Sequence, residues 1–184
     1  SPESCIDRQL AHSLFPSTPY GYESGGDPKC IPDLTYVDFK DFHKKHYHPS
    51  NSRLFLYGDG DTQSYLKFLQ EKYLQDFGRM DVNTSIAHQR SFRKPKRKSL
   101  TYPVSSHESL EKKAYVLVGY KLDKAINHEH CLGFSILSHL LLGSSASPLR
   151  KALIASELGS EVIGGGFDDN RADTIFAVGL KGTE

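Results

Sequence analysis

The amino-acid sequence predicts an α+β fold in which a sheet is packed with helices. Two observations carry this prediction. Apolar residues recur at helical spacing in several stretches, and short runs rich in Val, Leu, Phe and Tyr are bounded by Gly or Pro, which is typical of strands. The second half of the chain partly echoes the first in its predicted element order, but no short internal repeat is present.

The composition is that of a globular chain with balanced charge. Its 184 residues carry 23 Lys and Arg against 22 Asp and Glu, a formal net charge of +1, and 38% are hydrophobic. A compact chain of this size buries about 70% of its unfolded surface, so one large domain or two incomplete ones are expected. The charge balance argues against a strongly basic nucleic-acid binder, and no apolar run is long enough to predict a membrane span.

Proline, glycine and capping residues divide the first half into short elements. Thr35 can cap a helix, with Asp38 three positions later in an arrangement like a capping box, and Pro49 stops that helix. The predicted elements are the last part of a helix over 6–14, an ordered loop over 15–32, a helix over 36–47, a buried strand over 52–57, and a helix from Asp61 or Thr62 to Gly78.

The second half begins with a segment that lacks apolar periodicity. Residues 90–98 hold six basic side chains around Pro95, which predicts an interdomain linker over 90–112. The elements predicted after it are a strand over 114–120, a helix capped by Asn127 and ending at Gly143, a helix from Ser147-Pro148 to Gly159, a turn at Gly164–Gly166, and a strand over 174–180.

Two histidine clusters resemble metal sites. His43, His46 and His48 share or adjoin one helical face, but the favoured interpretation is a helix end with aromatic packing. In His128-Glu129-His130 the two histidines lie two apart and point about 200° from one another on a helix, so they cannot chelate one ion. Neither H-E-x-x-H nor H-x-x-E-H occurs in the chain.

Other motifs fail their own patterns. The calcium-like Asp59-Gly60-Asp61 is followed by Ser64 and Gln70 where an EF-hand needs Gly and Glu. Glycines 164–166 lack the Gly-Lys-Ser/Thr of a phosphate loop, and residues 143–147 lack the last Gly of a nucleophile elbow. Basic residues 90–98 include one aromatic residue, so a solvated linker is favoured over nucleic-acid binding. The three cysteines, Cys5, Cys30 and Cys131, indicate neither a disulfide framework nor a zinc site.

Several blocks in unbroken order carry a family resemblance. They are PYGYESGGDP at 19–28, IPDLT at 31–35, FHKKHYHPSNSR at 42–53, YGD at 57–59, LLGSSASPLRKAL at 141–153, ELG at 157–159 and VGLKG at 178–182. These blocks resemble the pitrilysin-type (M16) metallopeptidases, and most closely their presequence-protease and falcilysin-like subfamily. The resemblance covers nearly the whole chain apart from the linker.

The resemblance implies a zinc endopeptidase of four similar α+β domains, in two halves that enclose a chamber for short unfolded peptides. In that family two histidines of H-x-x-E-H and a later glutamate bind zinc, and the glutamate of the motif is the general base. Here the motif is absent, and the family's order would put the ligating glutamate just before Ser1. No catalytic residue or metal ligand is therefore assigned, and the substrate-binding residues stay unknown.

The expected organisation follows from this resemblance. Residues 1–89 would be the C-terminal part of a first, catalytic-type domain, 90–112 the linker, and 113–184 the N-terminal part of a noncatalytic second domain. The chain, which lacks an initiator Met, is expected to be an inactive internal fragment of a peptidase that uses zinc and acts on peptides in a mitochondrion or plastid. No nucleic acid is expected as a partner and no membrane span is expected, whereas the rest of the parent chain is an expected partner.

Two alternatives stay open. A noncatalytic structural or assembly subunit of the same family would share these blocks and lack the zinc motif in its upstream part. A binding module that works through Arg90–Lys98 would require salt-sensitive binding to single strands.

Overall fold

The computed structural model describes all 184 residues and divides them into two compact units. The first unit contains residues 1–25 and 86–184, and the second contains residues 26–85. No helix in the chain is long and apolar enough to cross a bilayer. The helices are α1 (Pro2–Leu14), α2 (Tyr36–His46), α3 (Thr62–Leu69), α4 (His128–Leu142) and α5 (Pro148–Ala155), and the strands are β1 (Ala114–Lys124), β2 (Glu161–Asp168) and β3 (Asp173–Thr183).

The first unit is built on a three-stranded antiparallel sheet. Strand β3 lies in the centre and pairs with β1 on one side and β2 on the other. Opposite residues include Val118 with Val178 in the first pair and Val162 with Leu180 in the second. The predicted α+β class is confirmed, because helices pack against this sheet.

Helix α1 and the loop after it supply the core of the first unit. Leu14, the fully buried Phe15 and Ile175 of β3 form the buried cluster, and Leu10 packs beside them. Leu10 lies over Gly119 of β1, where an added Cβ would come within 2.3 Å of the leucine Cδ1. Full burial of a side chain such as Phe15 contributes about 1.5–3 kcal/mol, so this cluster, with Leu10 beside it, holds α1 to the sheet.

Helix α4 packs on strand β2. The rings of Phe134 and Phe167 stack at 5.8 Å between centroids, and the Ser138 hydroxyl accepts a hydrogen bond from the Phe167 backbone N–H at 3.0 Å. The predicted Asn127 cap is present, since its side-chain oxygen accepts from the backbone N–H of His130. The sequence therefore located this helix correctly at both ends.

The predicted turn at Gly164–Gly166 is wrong, because these glycines lie inside β2. Gly164 and Gly166 have φ angles of +87° and +71°, and the pairing with β3 shifts register between Ile163 and Gly166. Glycine tolerates this left-handed backbone, so the strand forms a bulge and continues. The sequence-based turn assignment mistook a bulge for a chain reversal.

The second unit holds α2 and α3 but has no buried residue. Thr35 caps α2 as predicted, accepting from the backbone N–H of Asp38, and Asp61 caps α3 through Gln63 and Ser64. The Ser64 hydroxyl and these backbone N–H groups bond the Asp61 carboxylate and lower its pKa.

Three further predicted elements differ from the structure. Residues 52–57 form no strand, because no other strand lies in residues 26–85 to pair with them. Helix α3 gives way at Gln70–Leu74 to a wider π-helical turn instead of running to Gly78, and α5 ends at Ala155, four residues before Gly159.

The hairpin between β2 and β3 contains a carboxylate whose ionisation is linked to stability. Burial raises the pKa of Asp168, but hydrogen bonds from the Asn170 backbone and the Arg171 guanidinium, the latter at 2.5 Å, outweigh it, so the pKa is lowered overall from 3.8. A depressed folded-state pKa contributes stability that is present above the unfolded pKa and is lost as the pH falls through the folded value.

We expect Asp168→Asn to be less stable than the wild type above about pH 5, by about 1 kcal/mol, and the difference to shrink below about pH 3.5. Urea unfolding at several pH values measures this difference. Asp169→Asn is the matched control, since Asp169 is exposed and forms no ion pair. An Asp168→Asn deficit that persists undiminished at low pH would contradict the linkage.

Candidate functional site

The histidines at the end of α2 contact aromatic rings. His43 stacks on Tyr47 with 4.7 Å between centroids, and His46 lies 4.4 Å from Phe42. His48 caps the following short helix, because its Nδ1 accepts from the Ser50 backbone N–H at 3.1 Å. The three rings thus serve packing and capping in the structure, and they do not converge on one point.

His128, Glu129 and His130 lie in the first turn of α4. The His130 Nδ1 is 2.5 Å from an Asp123 carboxylate oxygen, which also accepts from the Asn127 side chain at 3.0 Å. The pKa of Asp123 is lowered, first by a hydrogen bond from the Lys124 backbone N–H and then by the His130 ring. This group ties the end of β1 to the start of α4 and uses only one histidine.

The residues present do not fit a zinc ion. A catalytic zinc site uses three protein ligands and leaves a further position for water. Across the described residues, no three side chains of His, Cys, Asp or Glu come together. The three cysteines are free, and they also lie outside any such cluster. No step of zinc chemistry is therefore derived from this chain.

The remaining sequence motifs have structural contacts. Ser147, predicted as a helix cap, makes no capping bond to α5; its hydroxyl instead accepts from the Ser144 backbone N–H. Asp61 of the calcium-like motif caps α3. In the basic run, the Lys96 ammonium lies 4.3 Å from the centre of the Phe92 ring, and residues 93–101 are exposed.

A buried carboxylate that the sequence did not single out organises one end of the sheet. Asp173, 1% exposed, is the first residue of β3. One of its oxygens lies 3.0 Å from the His88 Nδ1 and 3.6 Å from the Lys121 ammonium, and the other accepts from the Gln89 backbone N–H at 2.7 Å. These contacts join residues 88 and 89 to both β1 and β3.

No local pattern could have revealed this cluster. His88 and Gln89 are adjacent in the chain, but they lie 33 and 32 positions before Lys121 and 85 and 84 positions before Asp173. None of these residues sits in a metal or catalytic motif. An aspartate that follows Asn, Arg and Ala before a strand is normally a turn residue. Its carboxylate is buried only because β1 and residues 88 and 89 meet β3 at this point.

Comparison with known proteins gives a consistent result. The family described as "Peptidase M16 inactive domain" matches residues 33–184. The chain is 41% identical over 184 residues to Protein HypA of Clostridium perfringens, and 40% identical over 184 residues to presequence protease 1, chloroplastic/mitochondrial, of Arabidopsis thaliana. It is 37% identical over 182 residues to the mitochondrial presequence protease of Xenopus laevis.

These similarities cover almost all of this chain and a small part of each relative. The matches span 100%, 98% and 98% of the chain, but 19%, 17% and 18% of the three relatives in the same order. A solved structure described as a protease from Helicobacter pylori is similar to this chain with a TM-score of 0.54 and 19% identity. The match covers 99% of this chain and 47% of the solved chain, and at this identity it supports the fold alone.

Proposed function

Because the chain belongs to the peptidase M16 family, we propose that it is a framework fragment of a zinc metalloendopeptidase that degrades short unfolded peptides, such as cleaved targeting presequences. The observation that carries this proposal is the alignment with presequence proteases, which runs through 98% of the chain. In the parent, bound zinc would activate water for attack on the peptide bond. The fragment itself is inactive.

The proposed division of labour within the chain follows the expected domain limits. Residues 1–89 belong to the catalytic-type domain, 90–112 connect the domains, and 113–184 belong to the noncatalytic domain. The contribution of these residues is mechanical: packing of α1 on β1, and the contacts of Asp173, give the polypeptide around the metal centre a fixed support. The rest of the parent chain and its peptide substrates are the proposed partners.

The parent is proposed to act in a mitochondrion or plastid. The printed names of the Arabidopsis and Xenopus relatives support this compartment. Protein HypA comes from a bacterium and is about as similar, so targeting of the mature parent is best tested directly by imaging a tagged intact protein.

The experiment that tests the proposal compares the isolated 184-residue chain with the intact protein that contains it. We expect the intact protein to hold about one zinc ion per chain and to cut an unstructured peptide. We expect the isolated chain to do neither, because a catalytic zinc site needs three protein ligands and no such group is present in it. Elemental analysis and peptide cleavage measure the two properties, and chelator-treated intact protein is the control.

Two results would contradict this proposal. Stoichiometric zinc together with cleavage by the isolated chain would show that it contains the active centre. An intact protein without H-x-x-E-H upstream of Ser1, and without zinc or cleavage, would favour the second candidate, a noncatalytic structural or assembly subunit. That candidate is favoured by one observation, namely that the matching family over 33–184 is described as an inactive domain.

A further inference from the structure

The residues that lead into the predicted linker are bound to the sheet, and the exposed residues of the linker follow them. This strap comprises residues 88–92. Its Gln89 side-chain oxygen accepts from both the backbone N–H and the hydroxyl of Ser17, at 3.2 and 2.9 Å, and Phe92 packs against the core of Leu14, Phe15 and Ile175. The strap therefore contacts the loop after α1 as well as β3.

The residues after the strap make fewer contacts, among them the Lys96 ammonium at 4.3 Å from the centre of the Phe92 ring. Residues 93–101 are all exposed and take part in no hydrogen bond. Contact resumes at Tyr102, whose hydroxyl donates to the Lys113 backbone oxygen and whose ring lies edge-on to Tyr115 at 5.8 Å. A free stretch of nine residues, 93–101, thus lies between two fastened points.

We propose that Asp173 is the lock of a conformational device: its buried carboxylate holds the strap on the sheet and fixes Arg93 as the point where the connecting segment starts to move. This inference concerns a contact within the first unit and does not rest on the proposed peptidase function.

The contacts of Asp173 explain why its loss should release the strap without disturbing the sheet. Lys121, whose side chain is 12% exposed, offsets the buried negative charge from β1, so the carboxylate stays bound to the sheet whether or not the strap is present. The strap contributes the His88 ring and the buried Gln89 N–H. Loss of the carboxylate leaves that N–H without its charged acceptor, and a hydrogen bond to a charged group is among the stronger ones in proteins.

The test is hydrogen exchange of the intact protein, with peptides that cover the strap and β3 resolved separately. In Asp173→Asn we expect the Gln89 amide to exchange at least about tenfold faster than in the wild type. We expect amides at the centre of β3, such as Val178, to change by less than about threefold. Asp169→Asn, an exposed neighbour in the same hairpin, is the control and is expected to change neither.

A second variant keeps the inference testable if Asp173→Asn fails to fold. Gln89→Ala removes the bridge from the strap to Ser17 but keeps the backbone N–H and Asp173. Strap amides should then exchange about threefold to fivefold faster, with β3 unchanged. Equal acceleration of the strap and β3 in Asp173→Asn, or an unaltered strap in either variant, would overturn the proposal.

Discussion

Replacing Gly179 by alanine is expected to lower the thermal midpoint of unfolding by about 6–12 °C, which corresponds to a loss of about 3 kcal/mol in a domain of this size. Gly179 lies in the central strand β3, opposite Leu117 of β1 on one side and Ile163 of β2 on the other. A Cβ at this position would come within 2.0 Å of the Val116 carbonyl oxygen and 2.9 Å of the Leu117 Cα.

Both of those atoms belong to the backbone of β1, so no side-chain rotation relieves the contact. Strand β1 must move away from β3, and its hydrogen bonds then lengthen along the ladder. Overpacking of a close-packed interior costs about 1–3 kcal/mol even where side chains can adjust, and here they cannot. We therefore expect an effect at or above the top of that range.

Gly165→Ala is the matched control, because nothing lies within 4 Å of a Cβ built at Gly165 and its φ is not positive. Calorimetry of the two variants beside the wild type measures the difference. Equal midpoints for Gly179→Ala and Gly165→Ala would mean that β1 does not approach β3 as closely as the structure has it.

Elements that depend on local chemistry were predictable from the sequence. The caps Thr35, Asp61 and Asn127 were each identified, and their helices begin where expected. The predicted cap Ser147 is the exception, since it makes no capping bond to α5. The reason is that a cap needs only backbone N–H groups two or three residues away, so a short stretch of sequence contains all the interacting partners.

Elements that depend on distant partners were predictable only in part. The glycines of β2 have the composition of a turn, and their strand conformation is set by β3, whose free edge accepts them. The Asp173 cluster needs strands β1 and β3 and the strap to meet, and no short stretch of sequence includes all three. The predicted domain limits at 89/90 and 112/113 stay a prediction.

Residues 53–57 are expected to change their hydrogen-exchange protection more than any other part of the chain when the intact protein is compared with the isolated chain. This stretch is apolar in consecutive positions, with Leu54, Phe55, Leu56 and Tyr57 exposed by 64%, 86%, 52% and 96%. Its backbone groups take part in no hydrogen bond. A run that is apolar on both faces is typical of a strand in the interior of a sheet.

Exposed side chains of this size forfeit about 1.5–3 kcal/mol each relative to full burial, and unpaired backbone groups must be hydrated. Both costs disappear if the longer polypeptide supplies neighbouring strands and a covering layer. We therefore expect the amides of 53–57 to exchange at nearly unprotected rates in the isolated chain and about a thousandfold more slowly in the intact protein.

Strand β3 provides the internal reference for this comparison, because Leu180 is buried in the first unit and paired on both sides without any further polypeptide. Its amides should be protected in both samples. Rapid exchange of 53–57 in the intact protein, with β3 protected, would mean that this apolar run stays uncovered there. The segment would then be a surface for another molecule, because an exposed apolar run of this kind is seldom left without a partner.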